Sequence, residues 1–256
     1  YNVPGTQQLE VYYDGQDYTQ ASDFAGTGGV VDKVGGDQDG TAGTGVSFDS
    51  TYKAFVFDGT ANGKIVGTHN LSGTSPTHTI SIWFKRTVVV GSYDYVLAVG
   101  TSTTAQNSAI VINNDQVWFS IFGDTIKSSI KIVNDVWYHL TVTSNGGIWN
   151  STNCKMYLNG ALTSTTSGGG GTFNLTGTQI TLGTRSDGGE QFAGSIANFR
   201  LFSKALNADQ VKELYDYQKD YFLGSKSQVT LYKGHLGIGV AEPSGQLELA
   251  GDERLQ

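Results

Sequence analysis

The chain has 256 residues, with 16 Lys and Arg against 23 Asp and Glu, a formal net charge of −7. That balance argues against a phosphate-backbone partner, because nucleic-acid surfaces are basic, and no apolar run reaches the roughly 18 residues that a membrane helix needs. The 35 Gly and 3 Pro fit an all-β protein with many tight turns, and the single cysteine, Cys154, excludes an internal disulfide.

Leu9, Val11 and Tyr13 alternate as in a strand. Residues 30–48, VVDKVGGDQDGTAGTGVSF, then place Asp32, Asp37 and Asp39 among Gly35, Gly36 and Gly40. Closely spaced carboxylates on a Gly-rich loop wrap hard cations, so this is the candidate site for a structural calcium; the alternative is a solvated turn. In KAFVFDGTANGKIV, residues 53–66, Ala54 and Val56 alternate against Phe55 and Phe57, and Asp58-Gly59 and Asn62-Gly63 are turn formers. TISIWFKR, residues 79–86, sets Ile80, Ile82 and Phe84 against Ser81, Trp83 and Lys85.

YVLAVG, SAIVIN, QVWFSIF and IKIV follow at short spacing, a meander of strands between Tyr93 and Val133. DVWYHLTVT at 135–143 is another strand, and CKMYLNGAL at 154–162 a hairpin turning at Asn159-Gly160. Gly168–Gly171 reads as a flexible loop, Gln179–Gly183 as a short strand and RSDGGEQ, 185–191, as a loop. Ser195–Phe202 is a strand with one buried face. Asn207 and Gln210 form a capping box, and Val211, Leu214 and Tyr215 mark a short amphipathic helix. In the tail Val229 and Leu231 alternate, and Gly234, Gly237, Gly239 and Pro243-Ser244-Gly245 punctuate. The expected division is a domain over 1–222 and a small β tail over 223–256. The opening at Tyr1 rather than Met reads as a fragment or a processed product.

Taken in order, these stretches resemble the laminin-G-like, concanavalin A-like lectin/glucanase modules. FAGSIANFRLFSKALNADQVKELY is similar to the family's closing strand and helix, with Gly194, Ile196, Phe199, Arg200, Phe202, Ala205 and Leu206 matching; Asn198 lies near a position where an acid is common. The Asp-rich loop, the F-D-G hairpin at 57–66, the 79–86 strand, the WYHLTVT strand and the YLNG hairpin match the same family, so the likeness covers residues 8–218. It implies an all-β jelly-roll sandwich of two antiparallel sheets with one short C-terminal helix. The tail string LGIGVAEPSGQLELAG resembles a β module of viral and phage fibre or adhesin proteins. That likeness implies a virion surface or extracellular setting, in a large algal or protist virus, and self-association as a homotrimer.

Chemistry is sparse. Glucanases of this fold carry E-x-D-x-x-E on one strand, so that two carboxylates flank the scissile bond, and no such string occurs. His139 sits inside a strand and reads as a sheet-face histidine rather than a general base; His69, His78 and His235 have no evident partner. Cys154 reads as a buried thiol. Sugars need an aromatic face and planar polar groups. Three loop groups offer them: Trp149 with Asn150, Asp187 with Glu190 and Gln191, and Tyr93 with Asp94. Trp149 has a second reading, as a cap on the sandwich edge. Trp83, Trp118 and Trp137 lie in strand patterns and are assigned to packing. Asn70, Asn150 and Asn174 head glycosylation sequons. The expectation is a non-catalytic adhesion module for a cell-surface or wall glycan, without nucleic acid or membrane insertion. The alternatives are a structural capsid or fibre component, and a diverged polysaccharide hydrolase or lyase.

Overall fold

The computed structural model describes residues 8–163, 170–224, 230–232, 235–238 and 246–249. Gly168, Gly169, Val229, Gly234, Gly239 and the Pro243-Ser244-Gly245 turn lie outside these residues.

The strands are β1 (Leu9–Tyr13), β2 (Thr41–Ala42), β3 (Val46–Asp49), β4 (Ala54–Asp58), β5 (Ile65–Thr68), β6 (Gly73–Thr74) and β7 (His78–Val88). There follow β8 (Asp94–Gly100), β9 (Asn107–Asn113), β10 (Gln116–Ser120), β11 (Thr125–Lys131), β12 (Tyr138–Ser144), β13 (Cys154–Leu158) and β14 (Ala161–Leu162). After β15 (Asn174–Leu175), β16 (Gln179–Leu182) and β17 (Ala193–Phe202) comes the helix α1 (Ala208–Phe222). The tail holds β18 (Thr230–Tyr232), β19 (His235–Ile238) and β20 (Leu247–Leu249).

Two antiparallel sheets form. One runs β14-β13-β12-β7-β17-β4-β3, with β1 added to β17; the other runs β11-β10-β9-β8-β16-β5-β2. The period-two alternation read from the sequence decides which side chains meet between them. Ile80, Ile82, Phe84, Leu140 and Val142 of the first sheet share one core cluster with Leu97, Val99, Ile110, Val117, Phe119 and Ile180 of the second. All are fully buried, and each contributes about 1.5–3 kcal/mol of apolar burial. The domain is the expected jelly-roll sandwich.

Two local expectations change. Residues 53–66 are not a hairpin: β4 pairs with β17 and β3, whereas β5 pairs with β16 and β2. The turn formers redirect the chain from one sheet to the other, with Asp58 Oδ1 accepting from the amide (2.9 Å) and hydroxyl (2.8 Å) of Thr60. Second, β17 is buried along all ten residues, not on one face. Its outer face is roofed by the start of α1, where Phe202, Leu206, Val211 and Leu214 pack with Tyr157. Tyr215 stacks on Trp83 of the adjacent β7, 5.9 Å between centroids. Asn198 has φ 51, and there the β17–β7 register skips from Ala197 to Arg200. Asn tolerates this left-handed bulge. It sets Arg200 over the Tyr12 ring at 4.3 Å, with Nη2 donating to the Tyr12 hydroxyl at 2.9 Å.

The capping box forms as read. Gln210 N donates to Asn207 Oδ1 (2.9 Å), and Asn207 N donates to Gln210 Oε1 (3.1 Å). Asn207→Ala is therefore expected to lower stability by about 1 kcal/mol, read from the urea midpoint, with Asn207→Ser close to neutral. The hairpin at Asn159-Gly160 is also as read, both residues having positive φ (52 and 75), and Asn159 Oδ1 accepts from His139 N at 2.9 Å.

Contacts divide the chain into two compact units that meet between Tyr215 and Asp216, inside α1. In the C-terminal unit β18 and β19 pair antiparallel, and β19 and β20 pair parallel. No helix among the described residues is long and apolar enough to cross a membrane.

Candidate functional site

The outer face of the second sheet carries a cleft. Strand register builds it. Tyr95 of β8 stands opposite Val111 of β9, which stands opposite Trp118 of β10, opposite Lys127 of β11. The next row is Ala98, Ala109, Ser120 and Thr125. One row is tall and aromatic, the other small, so the small residues leave a trough beside the aromatic wall. A bulge between Tyr95 and Leu97 turns Tyr95 outward while Val96 and Leu97 both enter the core.

Two loops complete the walls. Phe122 (φ 54) and Gly123 (φ 151) bend the β10–β11 connection over the trough, with Phe122 N donating to Ser120 Oγ at 3.1 Å. The 185–191 loop is closed by a bridge between Thr184 and Gln191. There Arg185 Nε donates to Asp187 Oδ1 at 2.8 Å, and Gly189 N donates to the same oxygen at 3.0 Å. The Arg185 guanidinium lies 5.9 Å from the Tyr95 ring and 5.6 Å from the Phe122 ring, so two aromatic faces and a carboxylate hold it. The resulting cleft is about 420 Å³, with Tyr93, Tyr95, Trp118, Phe122, Arg185 and Glu190 in its walls.

Trp118 is half-buried. Lys127 Nζ sits 4.3 Å from its ring centroid, and Tyr93 meets it edge-on at 5.8 Å. Burial pushes the Tyr95 phenol up to about 12, against the opposing pull of Arg185, so it remains a proton donor at neutral pH. The Arg185 hydrogen bond holds Asp187 below the usual carboxylate range. The walls thus offer ring faces, several hydroxyls, a guanidinium and one carboxylate, Glu190.

The sequence-predicted groups separate. Tyr93 (40 % exposed) and Glu190 enter this cleft. Asp187 lies behind Arg185, and Gln191 is turned to its own loop, Nε2 donating to Gly188 O at 2.9 Å. Asp94 is instead 1 % exposed, its Oδ1 accepting from the amides of Val90 (3.0 Å) and Gly91 (3.3 Å). Trp149 does not offer a ring to solvent. It is 1 % exposed, packed 4.4 Å from Phe119 and 5.1 Å from Phe173, which is the sandwich-cap reading. Asn150 is spent on its own turn, accepting from the amides of Thr152 and Asn153 at 2.9 and 3.0 Å. Asn70 and Asn174 are exposed, Asn150 half-buried.

Asp32, Asp37 and Asp39 do not converge as a calcium loop would. Asp32 is buried and holds backbone, Oδ1 accepting from Tyr12 N (2.8 Å) and Val34 N (3.1 Å), while its amide donates to Asp39 Oδ1 at 2.7 Å. Among the described residues no three Asp, Glu, His or Cys side chains cluster to hold a metal ion. Asp32 Oδ2 is buried with no hydrogen-bond partner among the described residues.

Trp118, assigned to packing from its strand pattern, does pack on Tyr95, Ala98, Ala109 and Val111, and it also lines the cleft. The signal was present. In QVWFSIF, Val117 and Phe119 take the inward positions, which sends Trp118 out with Ser120. His139, by contrast, is fully buried between sheet and helix, Nε2 bonded to Ser81 Oγ at 3.0 Å and the ring 5.0 Å from Trp83.

A two-sheet sandwich with an aromatic cleft on an outer sheet face defines a lectin-like module. Residues 57–212 match Laminin_G_3, of the concanavalin A-like lectin/glucanases superfamily, and the chain belongs to that family. It is similar to the adhesion G-protein coupled receptor V1 of Danio rerio, 25% identical over 154 residues, 54% of this chain and 2% of that protein. It is also similar to the sushi, von Willebrand factor type A, EGF and pentraxin domain-containing protein 1 of Rattus norvegicus, 27% identical over 158 residues, 56% of this chain and 4% of that one. The chain thus spans a small part of these relatives. Among solved structures, the binding domain of Paraclostridial Mosquitocidal Protein 1 superposes with TM-score 0.61 at 17% identity, over 85% of this chain and 55% of that one. The ligand binding domain of botulinum neurotoxin serotype D, in complex with N-acetylneuraminic acid, gives 0.60 at 17%, over 84% and 53%. These likenesses establish the fold.

Proposed function

We propose that the domain is a non-catalytic glycan-binding module of an extracellular adhesion protein, and that the cleft around Trp118 is where the sugar sits. The carrying observation is the in-register row Tyr95, Val111, Trp118, Lys127 beside a trough of small residues. A pyranose lays its C–H face on an aromatic ring while its hydroxyls meet planar polar groups, here Arg185 and Glu190. Cleavage would need two acids flanking the scissile bond; Glu190 is the single carboxylate among the described cleft-lining residues. The fold is one on which a botulinum neurotoxin domain holds N-acetylneuraminic acid. The fibre-like character of residues 226–251 extends the reading to a viral or fibre surface, with copies arrayed as a homotrimer so that weak sites act together.

A glycan array probed with the full chain tests this. Retention on at least one glycan class is expected. Trp118→Ala should weaken it about tenfold or more, since the stacking face is lost, measured per folded molecule because the ring also packs on Tyr95 and Val111. No retention on any glycan, or retention indifferent to Trp118→Ala, overturns the reading.

A further inference from the structure

A second pocket, about 350 Å³, opens at the end of the sandwich on the other side of the first residues of β8. Tyr93 and Tyr95 face the cleft; Ser92 and Asp94 line the pocket. The wall between them is the Ser92–Tyr93 stretch, tied down by Asn113 Nδ2 donating to Ser92 O at 2.7 Å. Asn113, Asn114 and Val89 line the pocket's rim.

Its floor is built from two buried charges. Arg86 is 3 % exposed and Asp94 1 %. Arg86 is held from two further sides, Nε donating to Asn134 Oδ1 at 2.6 Å and Nη2 to Asp115. Asp94 Oδ1 is satisfied by the Val90 and Gly91 amides. Among the described residues Oδ2 has only a long contact, 3.4 Å to Arg86 Nη1. A carboxylate oxygen has room for two donors, so this one retains accepting capacity at the floor of an open pocket. The rim carboxamides are joined, Asn114 Nδ2 donating to Asn113 Oδ1 at 3.1 Å, and each keeps further capacity to donate and accept. A hydroxyl does the same, and an acceptor-only carboxylate beside carboxamides suits a polyhydroxylated ligand.

We propose that this pocket is a second subsite for the ligand of the aromatic cleft, so that the preferred ligand is a linear oligosaccharide crossing the Ser92–Tyr93 wall. One sugar stacks at Trp118, and a following one gives hydroxyls to Asp94 Oδ2 and to Asn113 and Asn114. This rests on the cleft being a glycan site. It adds that affinity depends on chain length.

The test is calorimetry on the full chain with neutral cello-, laminari-, manno- and chito-oligosaccharides of one to six residues. Affinity is expected to rise about tenfold between the shortest bound member and one two or three residues longer, then level off. Asn114→Gly removes the carboxamide and keeps the positive φ of 49. It should erase that rise and leave the short ligand's affinity within twofold. Length-independent affinity with binding still sensitive to Trp118→Ala overturns the second subsite alone, as does an equal loss of short and long ligands in Asn114→Gly. Failure of the wild-type chain to bind any of these series overturns the linear-oligosaccharide subsite, and together with no retention on the glycan array it overturns both readings.

Discussion

Trp149→Ala is expected to lower the stability of the domain by about 3–5 kcal/mol, while the protein that remains folded retains its glycan affinity. Trp149 lies in the core cluster with Phe119 and Phe173, and its backbone amide donates to Gly171 O at 2.6 Å. Truncation removes ring contacts with both phenylalanines and leaves a cavity where the sandwich closes. Trp149→Phe should recover much of the loss, because the ring contacts persist and the buried indole N–H has no partner among the described residues. Urea denaturation gives the stability; retention per folded molecule separates Trp149 from Trp118. Loss of binding in a fully folded Trp149 variant would place the ligand at the wrong end of the sandwich.

Acid is expected to unfold the domain at a pH where most carboxylates are still ionised. His69, His78 and His139 are 0–1 % exposed, and burial lowers them to about 4, about 4 and about 3. His78 further disfavours charge on His69, and Arg200 on His139. Above pH 6.5 all three are neutral in the folded and the unfolded chain, so stability is at its full value. As pH falls below 6.5 the unfolded chain binds protons that the folded one refuses. Each histidine then withdraws up to about 3 kcal/mol by pH 4, at 1.36 kcal/mol per unit. Three such losses, about 9 kcal/mol together, remove most or all of a stability of about 5–15 kcal/mol. The urea midpoint should fall steeply between pH 6.5 and 4.5, and His69→Gln should flatten part of that fall. A midpoint constant over this range would show that the imidazoles are reached by water.

What the sequence revealed follows the range over which each signal acts. The Asn207 cap and the Asn159-Gly160 turn are decided within four residues, and both could be read directly. Core strands such as Thr79–Arg86 were legible because alternation survives when one face is apolar. β11 was not: Ile126 is its only deeply buried apolar residue and Ser128 takes the other inward position, so the apolar IKIV drew the strand too late. The partition of β4 and β5 between sheets was hidden, since turn residues look alike whether a chain returns to its own sheet or crosses over. The site was half visible. Tyr93 and Glu190 stood out as loop residues of the right chemistry, but Arg185 and Phe122 become walls only through pairing across four strands. For Asp32, type and spacing say nothing of the two amides that its Oδ1 takes.

The placement of β17 bears on how the molecule is made. It is the last strand of the domain in sequence, yet it sits between β7 and β4 and also takes β1, joining Leu9 to Phe202. A nascent chain on the ribosome cannot finish the first sheet until residue 202 has emerged, and until then β7 and β4 have open edges. Pairings this distant along the chain slow folding and leave unpaired strands exposed to other chains. Synthesis halted before Ala193 therefore yields an aggregation-prone half-sheet rather than a smaller working domain.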